Sequence, residues 1–229
     1  WCDSYYNRSE LIRKGFITEN VSVLPIVMDF NRYTTTPDNV TSQMLQTRKG
    51  IKLLFVGRIA PNKHQEDVIK LFDYYKKSFD ESSQLYLVGS WAGNEKYFAK
   101  LMGFIYDIGV KDVYFTGSIS EAEIVAYYKY SDVFVCMSEH EGFCIPLLEA
   151  MYFDLPVIAY DIAAVRETTG GAGLLVKKKD YASICKLING LVTDCVMKEK
   201  VLLEQRDNIE RFSLDTSFQN VQGLLKSFQ

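Results

Sequence analysis

Two glutamates eight positions apart, Glu141 and Glu149, bracket the segment with most chemical content, Ser138-Glu139-His140-Glu141-Gly142-Phe143-Cys144-Ile145-Pro146-Leu147-Leu148-Glu149. An apolar run ends at Met137 and an amphipathic stretch begins near Ile145, with Pro146 suited to the first turn of a helix. The unpaired N–H groups of a helix start favour an anion. Glu149 sits inside that stretch with apolar neighbours on both sides, where a carboxylate needs partners, and ribose hydroxyls would serve. The segment therefore reads as the place where an anionic, nucleotide-bearing ligand is held.

Two other turns follow apolar runs. In Gly57-Arg58-Ile59-Ala60-Pro61-Asn62-Lys63, Gly57 permits a sharp turn, and Arg58 and Lys63 put two cations ahead of a helix. A diphosphate wants a planar guanidinium fork, a point charge and a helix N-terminus. Two solvated surface cations would look the same. In Thr116-Gly117-Ser118-Ile119, Gly117 would let the backbone approach a flat base and Ile119 would cover one face; a plain turn before a helix fits equally.

Other chemistries find less support. As a glycosidase pair, Glu141 and Glu149 would lie ~12 Å apart along a helix axis, against the ~5–9.5 Å such hydrolases use. His64 and His140 are the only histidines and neither has a partner at ligand spacing, so no metal is expected. No GxSxG elbow or P-loop is present, and Gly89-Ser90-Trp91-Ala92-Gly93 lacks GxGxxG spacing.

These turns need a scaffold. Residues 51–56, 85–88, 113–116, 133–137, 157–160 and 174–176 are continuous apolar runs, as expected of strands buried on both faces of a parallel sheet. Helical stretches intervene. Residues 65–79 carry Val68, Phe72, Tyr75 and Phe79 on one face, and residues 120–130 open on Ser120 with Glu123 three positions on, a capping box. The fold class is α/β, a doubly wound Rossmann-like parallel sheet whose ligands bind at the carboxyl ends of the strands. Residues 181–191, 197–211 and 217–227 read as helices beyond the last strand. Upstream, residues 5–15 read as a short helix, 21–25 as a strand, 29–47 as a polar connection and 34–50 as a linker.

The chain has 229 residues and a net charge of −3, with 48% hydrophobic and 24% charged residues. That is enough to bury a large core, and the balance of charge disfavours a nucleic-acid partner. Five cysteines, an odd number without CxxC spacing, fit a reducing cytoplasmic compartment. No apolar run approaches the ~20 residues of a membrane span. The chain begins at Trp1 in mid-pattern, as a piece of a longer protein would.

Taken together, the blocks GR…K, FTGSIS, EGFCIPLLEAMYFDLPVIAYD and RETTGGAGLLV resemble the C-terminal domain of retaining GT-B glycosyltransferases of the family-four type, marked by two glutamates separated by seven residues. SYYNRSELIRKGF followed by VSVLPIVMD is similar to that family's crossover from the N-terminal domain. The resemblance implies residues 1–50 as the end of that domain and the crossover, 51–211 as the nucleotide-sugar donor domain, and 212–229 as a C-terminal helix. It implies that Gly57, Arg58 and Lys63 hold the donor diphosphate, Arg58 and Lys63 steadying the leaving group. Ser118 and Ile119 would meet the base. Glu141 would contact the transferred sugar, the backbone of Gly142, Phe143, Cys144 and Ile145 would bind sugar and phosphate, and Glu149 would hold the ribose. The implied reaction needs no metal or cofactor and moves a sugar from a UDP- or GDP-linked donor, with retention, to a glycan or lipid-linked acceptor. The acceptor would be held by an N-terminal domain, so this chain alone would bind donor and transfer poorly. The full-length protein would work in the cytoplasm, free or peripheral at the membrane. A nucleotide-sugar epimerase or phosphorylase on the same fold, or a non-catalytic nucleotide-binding domain, are the alternatives. The chain departs from many relatives where Cys144, Asp154, Ala163 and Ala164 replace glycines.

Overall fold

The computed structural model describes residues 1–24, 26–213, 216, 218 and 221–223. Six strands, β1 (Lys52–Val56), β2 (Gln84–Val88), β3 (Val113–Gly117), β4 (Val133–Cys136), β5 (Val157–Tyr160) and β6 (Leu174–Val176), form one sheet. The order is β3-β2-β1-β4-β5-β6, and every pairing is parallel. Each apolar run of the sequence is a strand, with ends shifted by at most one residue. The topology reverses between β1 and β4, which places their carboxyl ends beside each other. That is where an open α/β sheet takes its ligand.

Alternate residues along the strands feed two cores, which explains why the runs are apolar without a break. Leu53, Phe55, Leu85, Leu87, Val133 and Val135 face one side. There they meet α3 (Gln65–Ser78), α4 (Glu95–Ile108) and α8 (Tyr181–Thr193). Leu54, Val56, Tyr86, Val88, Phe134 and Cys136 face the other. Packed there are α2 (Asn39–Thr47), α5 (Glu121–Tyr130), α6 (Ile145–Tyr152) and α7 (Val165–Thr169). Helix α9 (Cys195–Glu210) reaches both cores through Val201 and Ile209. The capping box of α5 is formed, Ser120 accepting from the Glu123 amide while the Glu123 carboxylate accepts from Ser120. Such a cap is worth about 1 kcal/mol.

The N-terminal reading needs correction in two places. Residues 21–24 form no strand: Val23 makes a single bridge to Cys2, a partner too short to extend a ladder. The stretch expected to be a linker contains α2, preceded by a 3-10 turn at Phe30–Thr34. Asp38 caps α2 by accepting from the Thr41 amide at 2.7 Å. The helix buries Thr41, Ser42 and Leu45 while Val40 lies exposed, so its packed face is half polar and carries no apolar stripe for a pattern search to find. Residues 5–15 are helical as expected, as α1 (Tyr5–Arg13). Helices α4 and α7 fill the β2–β3 and β5–β6 connections, where intervening helical stretches are expected without assigned bounds. The helix expected over residues 217–227 lies mostly outside the described residues. Among the described residues, no helix is long and apolar enough to cross a membrane.

Candidate active site at the strand ends

The turn after β1 is tied to the turn after β2 by Gly57 N–H donating to Val88 O and Ile59 N–H to Ser90 O, both at 2.9 Å. The two turns pass so closely that a Cβ on Gly89 would lie 2.0 Å from the Gly57 carbonyl oxygen, so Gly89 is required by backbone approach. The same β1 turn is tied to the β4 turn by Glu139 N–H donating to Asn62 O at 3.0 Å.

Within this frame Lys63 Nζ donates to Glu141 Oε2 at 2.7 Å. Glu141 is 4% exposed and Lys63 partly buried. Burial works against the Lys63 ammonium, but the Glu141 carboxylate outweighs it and holds Lys63 above its ordinary value. Arg58 is exposed, and among the described residues its guanidinium makes one long bond, 3.5 Å, to Ala92 O. Among the described residues no carboxylate lies within ion-pair distance of it. The two cations thus differ: Lys63 is engaged, Arg58 is available.

The Glu141 turn is held from several directions. Ser4, the N-cap of α1, donates to Gly142 O at 2.7 Å. Glu167 of α7 accepts from the Tyr5 and Tyr6 amides at 2.8 and 3.2 Å, putting a carboxylate on the positive end of α1. Thr168 donates to Phe143 O, and the buried Phe143 ring packs edge-on to Phe212. His140 lies 3.3 Å from Glu10. Asp67 anchors Lys179 at 2.6 Å, and Lys179 reaches Glu139 at 3.0 Å.

Cys144 precedes α6 with φ 73°, and α6 has no side-chain N-cap. Pro146 has no N–H and Leu147 N–H turns back to Cys144 O at 3.1 Å, so of the first turn the Ile145 N–H is left without a capping oxygen. Asp154 and Ala163, the other positions marked as departures from glycine together with Ala164, also have positive φ, 53° and 52°. Ala164 does not.

Glu149 lies inside α6 and is buried. Its two oxygens accept from the buried phenols of Tyr33 and Tyr128, the latter at 2.6 Å. Burial, together with this carboxylate, pushes both phenols up. The partners that an apolar setting demands are thus two tyrosines already in the chain. A carboxylate has about four lone-pair sites, so two remain for another donor.

Beyond β3, Ser118 is exposed and Ile119 half-buried. Gly117, with φ 71°, would bring a Cβ to 3.5 Å from the Trp91 indole, and Trp91 stacks on Phe98. Ile119 also lines a cavity of about 290 Å³ with Arg48, Tyr86, Tyr114 and Tyr127.

Cys136, Glu141 and Cys144 place one donor atom each within 4.8 Å of one another. Cys136 Sγ lies 4.0 Å from Glu141 Oε1 and 3.4 Å from Ser138 Oγ. A hydrogen bond between the thiols lowers Cys136 and raises Cys144. The seven residues between the cysteines give no ligand-like spacing, so this grouping was not visible in the chain. Tyr33, Tyr128, Ser4, Glu167, Asp67 and Trp91 were not assigned a role either; the blocks SYYNRSELIRKGF, RETTGGAGLLV and the GSWAG turn contain Ser4, Glu167 and Trp91 and were the signals that pointed near them.

The Glycosyl transferases group 1 family model matches residues 41–209. A GDP-mannose-dependent alpha-mannosyltransferase of Mycolicibacterium smegmatis is 35% identical over 113 residues, covering 49% of this chain and 26% of that protein. A trehalose synthase of Thermococcus litoralis is 32% identical over 161 residues, covering 66% of this chain and 35% of that protein. The chain spans less than half the length of these curated relatives. Among solved structures, HepE of Anabaena, in complex with UDP and glucose, superposes with a TM-score of 0.83 at 22% identity over 99% of this chain and 62% of that one. The C-terminal domain of a glycosyl transferase group 1 family protein of Francisella tularensis gives a TM-score of 0.66 at 23% identity, over 82% of this chain and 99% of that one.

Proposed function

The chain belongs to the glycosyl transferases group 1 family, and on that premise we propose that it is the donor-binding part of a retaining, metal-independent hexosyltransferase. The reading divides it into the end of an acceptor domain with its crossover (residues 1–50), a donor domain (51–211) and a C-terminal segment (212–229). The acceptor, a glycan or lipid-linked glycan, is held by a further N-terminal domain, and the full-length protein works in the cytoplasm or peripherally at its membrane. A relative named for GDP-mannose and a neighbour solved with UDP and glucose support a nucleotide diphosphate sugar as donor.

The observation that carries the reading is the Lys63–Glu141 pair beside the start of α6. The diphosphate lies on Arg58, Lys63 and the Ile145 N–H at the start of α6, and Gly57 lets its turn approach. Charge that grows on the leaving phosphate is met by Arg58 and Lys63, cations the chain supplies itself, so no metal is needed for that task. Lys63 bridges the phosphate to Glu141, whose carboxylate faces the transferred sugar. With the leaving phosphate held on that face, it takes the proton of an acceptor attacking from the same side, and configuration is retained. The backbone of Gly142, Phe143, Cys144 and Ile145 lines the sugar and phosphate, Ser118 and Ile119 the base, and Glu149 the ribose through its remaining lone pairs.

Calorimetry of this chain against UDP, GDP and their sugar conjugates tests the reading. One base should bind, and Arg58→Ala should weaken it about tenfold or more, the loss expected of a charged hydrogen bond. No binding by any of them would refute it.

A further inference from the structure

The cluster of Cys136, Glu141 and Cys144 has the composition and spacing of a three-ligand site for a soft divalent cation. Zinc bonds of about 2.3 Å to sulfur and 2.0–2.2 Å to oxygen, at tetrahedral angles, separate neighbouring donors by about 3.5–3.8 Å. The three donors here lie within 4.8 Å of one another, and Cys136 Sγ to Glu141 Oε1 is 4.0 Å. Contraction by a few tenths of an ångström up to about one would close them on an ion.

The two oxygens of Glu141 are already divided. Oε1 faces Cys136, whereas Oε2 holds Lys63 at 2.7 Å. A cation taken on Oε1 leaves the Lys63 bond in place as an outer partner that orients the ligand. The charges also close: a divalent ion with two thiolates and a carboxylate carries −1, which Lys63 neutralises. Three protein ligands leave a fourth position that the chain does not fill. Finally, Cys144 holds φ 73°, a left-handed conformation that costs a residue with a Cβ about 1 kcal/mol and glycine almost nothing. A strained backbone kept at a site points to a use for its side chain.

We propose that Cys136, Glu141 and Cys144 bind a zinc-class cation, with the fourth position open, and that its occupancy excludes the sugar of the donor from Glu141. The site itself stands on the cluster alone; the exclusion rests on the donor reading given above. Binding releases the thiol protons to solvent and involves no change of oxidation state.

Cobalt(II) added to the whole chain under a non-thiol reductant is the direct test. One equivalent should give a thiolate-to-cobalt absorption band, which zinc then removes by displacement. Cys144→Gly, whose backbone glycine suits, should fold and bind at least about a hundredfold more weakly, since even outer partners of metal sites are worth 10- to 100-fold. His64→Ala should bind as the parent does, because His64, Asp67 and Glu139 form the other group of ligand-type residues at this end of the sheet. Absence of the band, its survival in Cys144→Gly or its loss in His64→Ala would overturn the site. Zinc should also raise the apparent Kd of the nucleotide sugar in the parent and not in Cys144→Gly. If the band forms and donor binding is unchanged, the cation site holds and the placement of the sugar on Glu141 fails.

Discussion

Lys63 and Glu141, 78 residues apart in the chain, meet at 2.7 Å where the ends of β1 and β4 lie side by side, with the carboxylate almost wholly buried. Removing one partner strands the other. Lys63→Met should destabilise the fold by on the order of 3 kcal/mol, the cost of an unpaired buried charge. Adding Glu141→Gln should return part of it, with a coupling of about 1–3 kcal/mol in urea unfolding. Strictly additive effects would show that the pair is not an energetic unit.

Glu149 is shared between Tyr33 and Tyr128. Tyr128→Phe should cost about 1.5–3 kcal/mol, the value of a hydrogen bond to a charged group. For the proposed ribose contact, Glu149→Gln should weaken a bound nucleoside diphosphate about tenfold while leaving its 2′,3′-dideoxy analogue unaffected. Equal losses for both ligands would place Glu149 in support of the fold alone.

Gly89 faces the carbonyl of Gly57 with no room for a methyl group and holds φ 146°. Gly89→Ala should therefore cost about 3 kcal/mol in thermal or urea unfolding, combining overpacking with backbone strain, and should displace the turn that carries Arg58. A silent substitution would mean the two turns separate at little cost.

Ala163 carries the opposite expectation. Its φ of 52° suits glycine, so Ala163→Gly should raise stability by about 0.5–1 kcal/mol after the loss of unfolded-state restriction is subtracted from the relief of strain. The midpoint in urea reports this, and destabilisation would contradict it.

Asp67 ties α3 to Lys179 and Tyr181. Burial raises its carboxyl, yet the hydrogen bonds from Lys179 and Tyr181 prevail and leave it below the ordinary value. A depressed carboxylate adds stability above its unfolded pKa, about 4, and loses it as pH falls through the folded value. The stability gap between the parent and Asp67→Asn should be full at pH 7 and should close below about pH 4. A gap unchanged across that window would refute the linkage.

The fold was readable because a parallel strand buried on both faces must be apolar throughout, and six such runs stand in the sequence in order. Helix α2 escaped because its buried face includes Thr41 and Ser42, which carry no apolar period. The turns bearing Arg58, Lys63, Ser118, Glu141 and the start of α6 were legible for a local reason: glycine, proline and cations after a strand mark a strand end. Which residues those turns meet was not. Glu149 was expected to need a partner, and Tyr33, 116 positions away, supplies one.

Local composition and period thus determined, from the sequence by itself, the class of the fold and the chain positions of the candidate site. Tertiary structure alone decided the partnerships: Lys63 with Glu141, Tyr33 and Tyr128 with Glu149, and Cys136 with Cys144 and Glu141. For Lys63 and Glu141 the reason is the strand order. β1 is followed in sequence by β2 but flanked on its other side by β4. That crossover joins segments with no shared period, and only closure of the sheet sets their side chains within bonding distance.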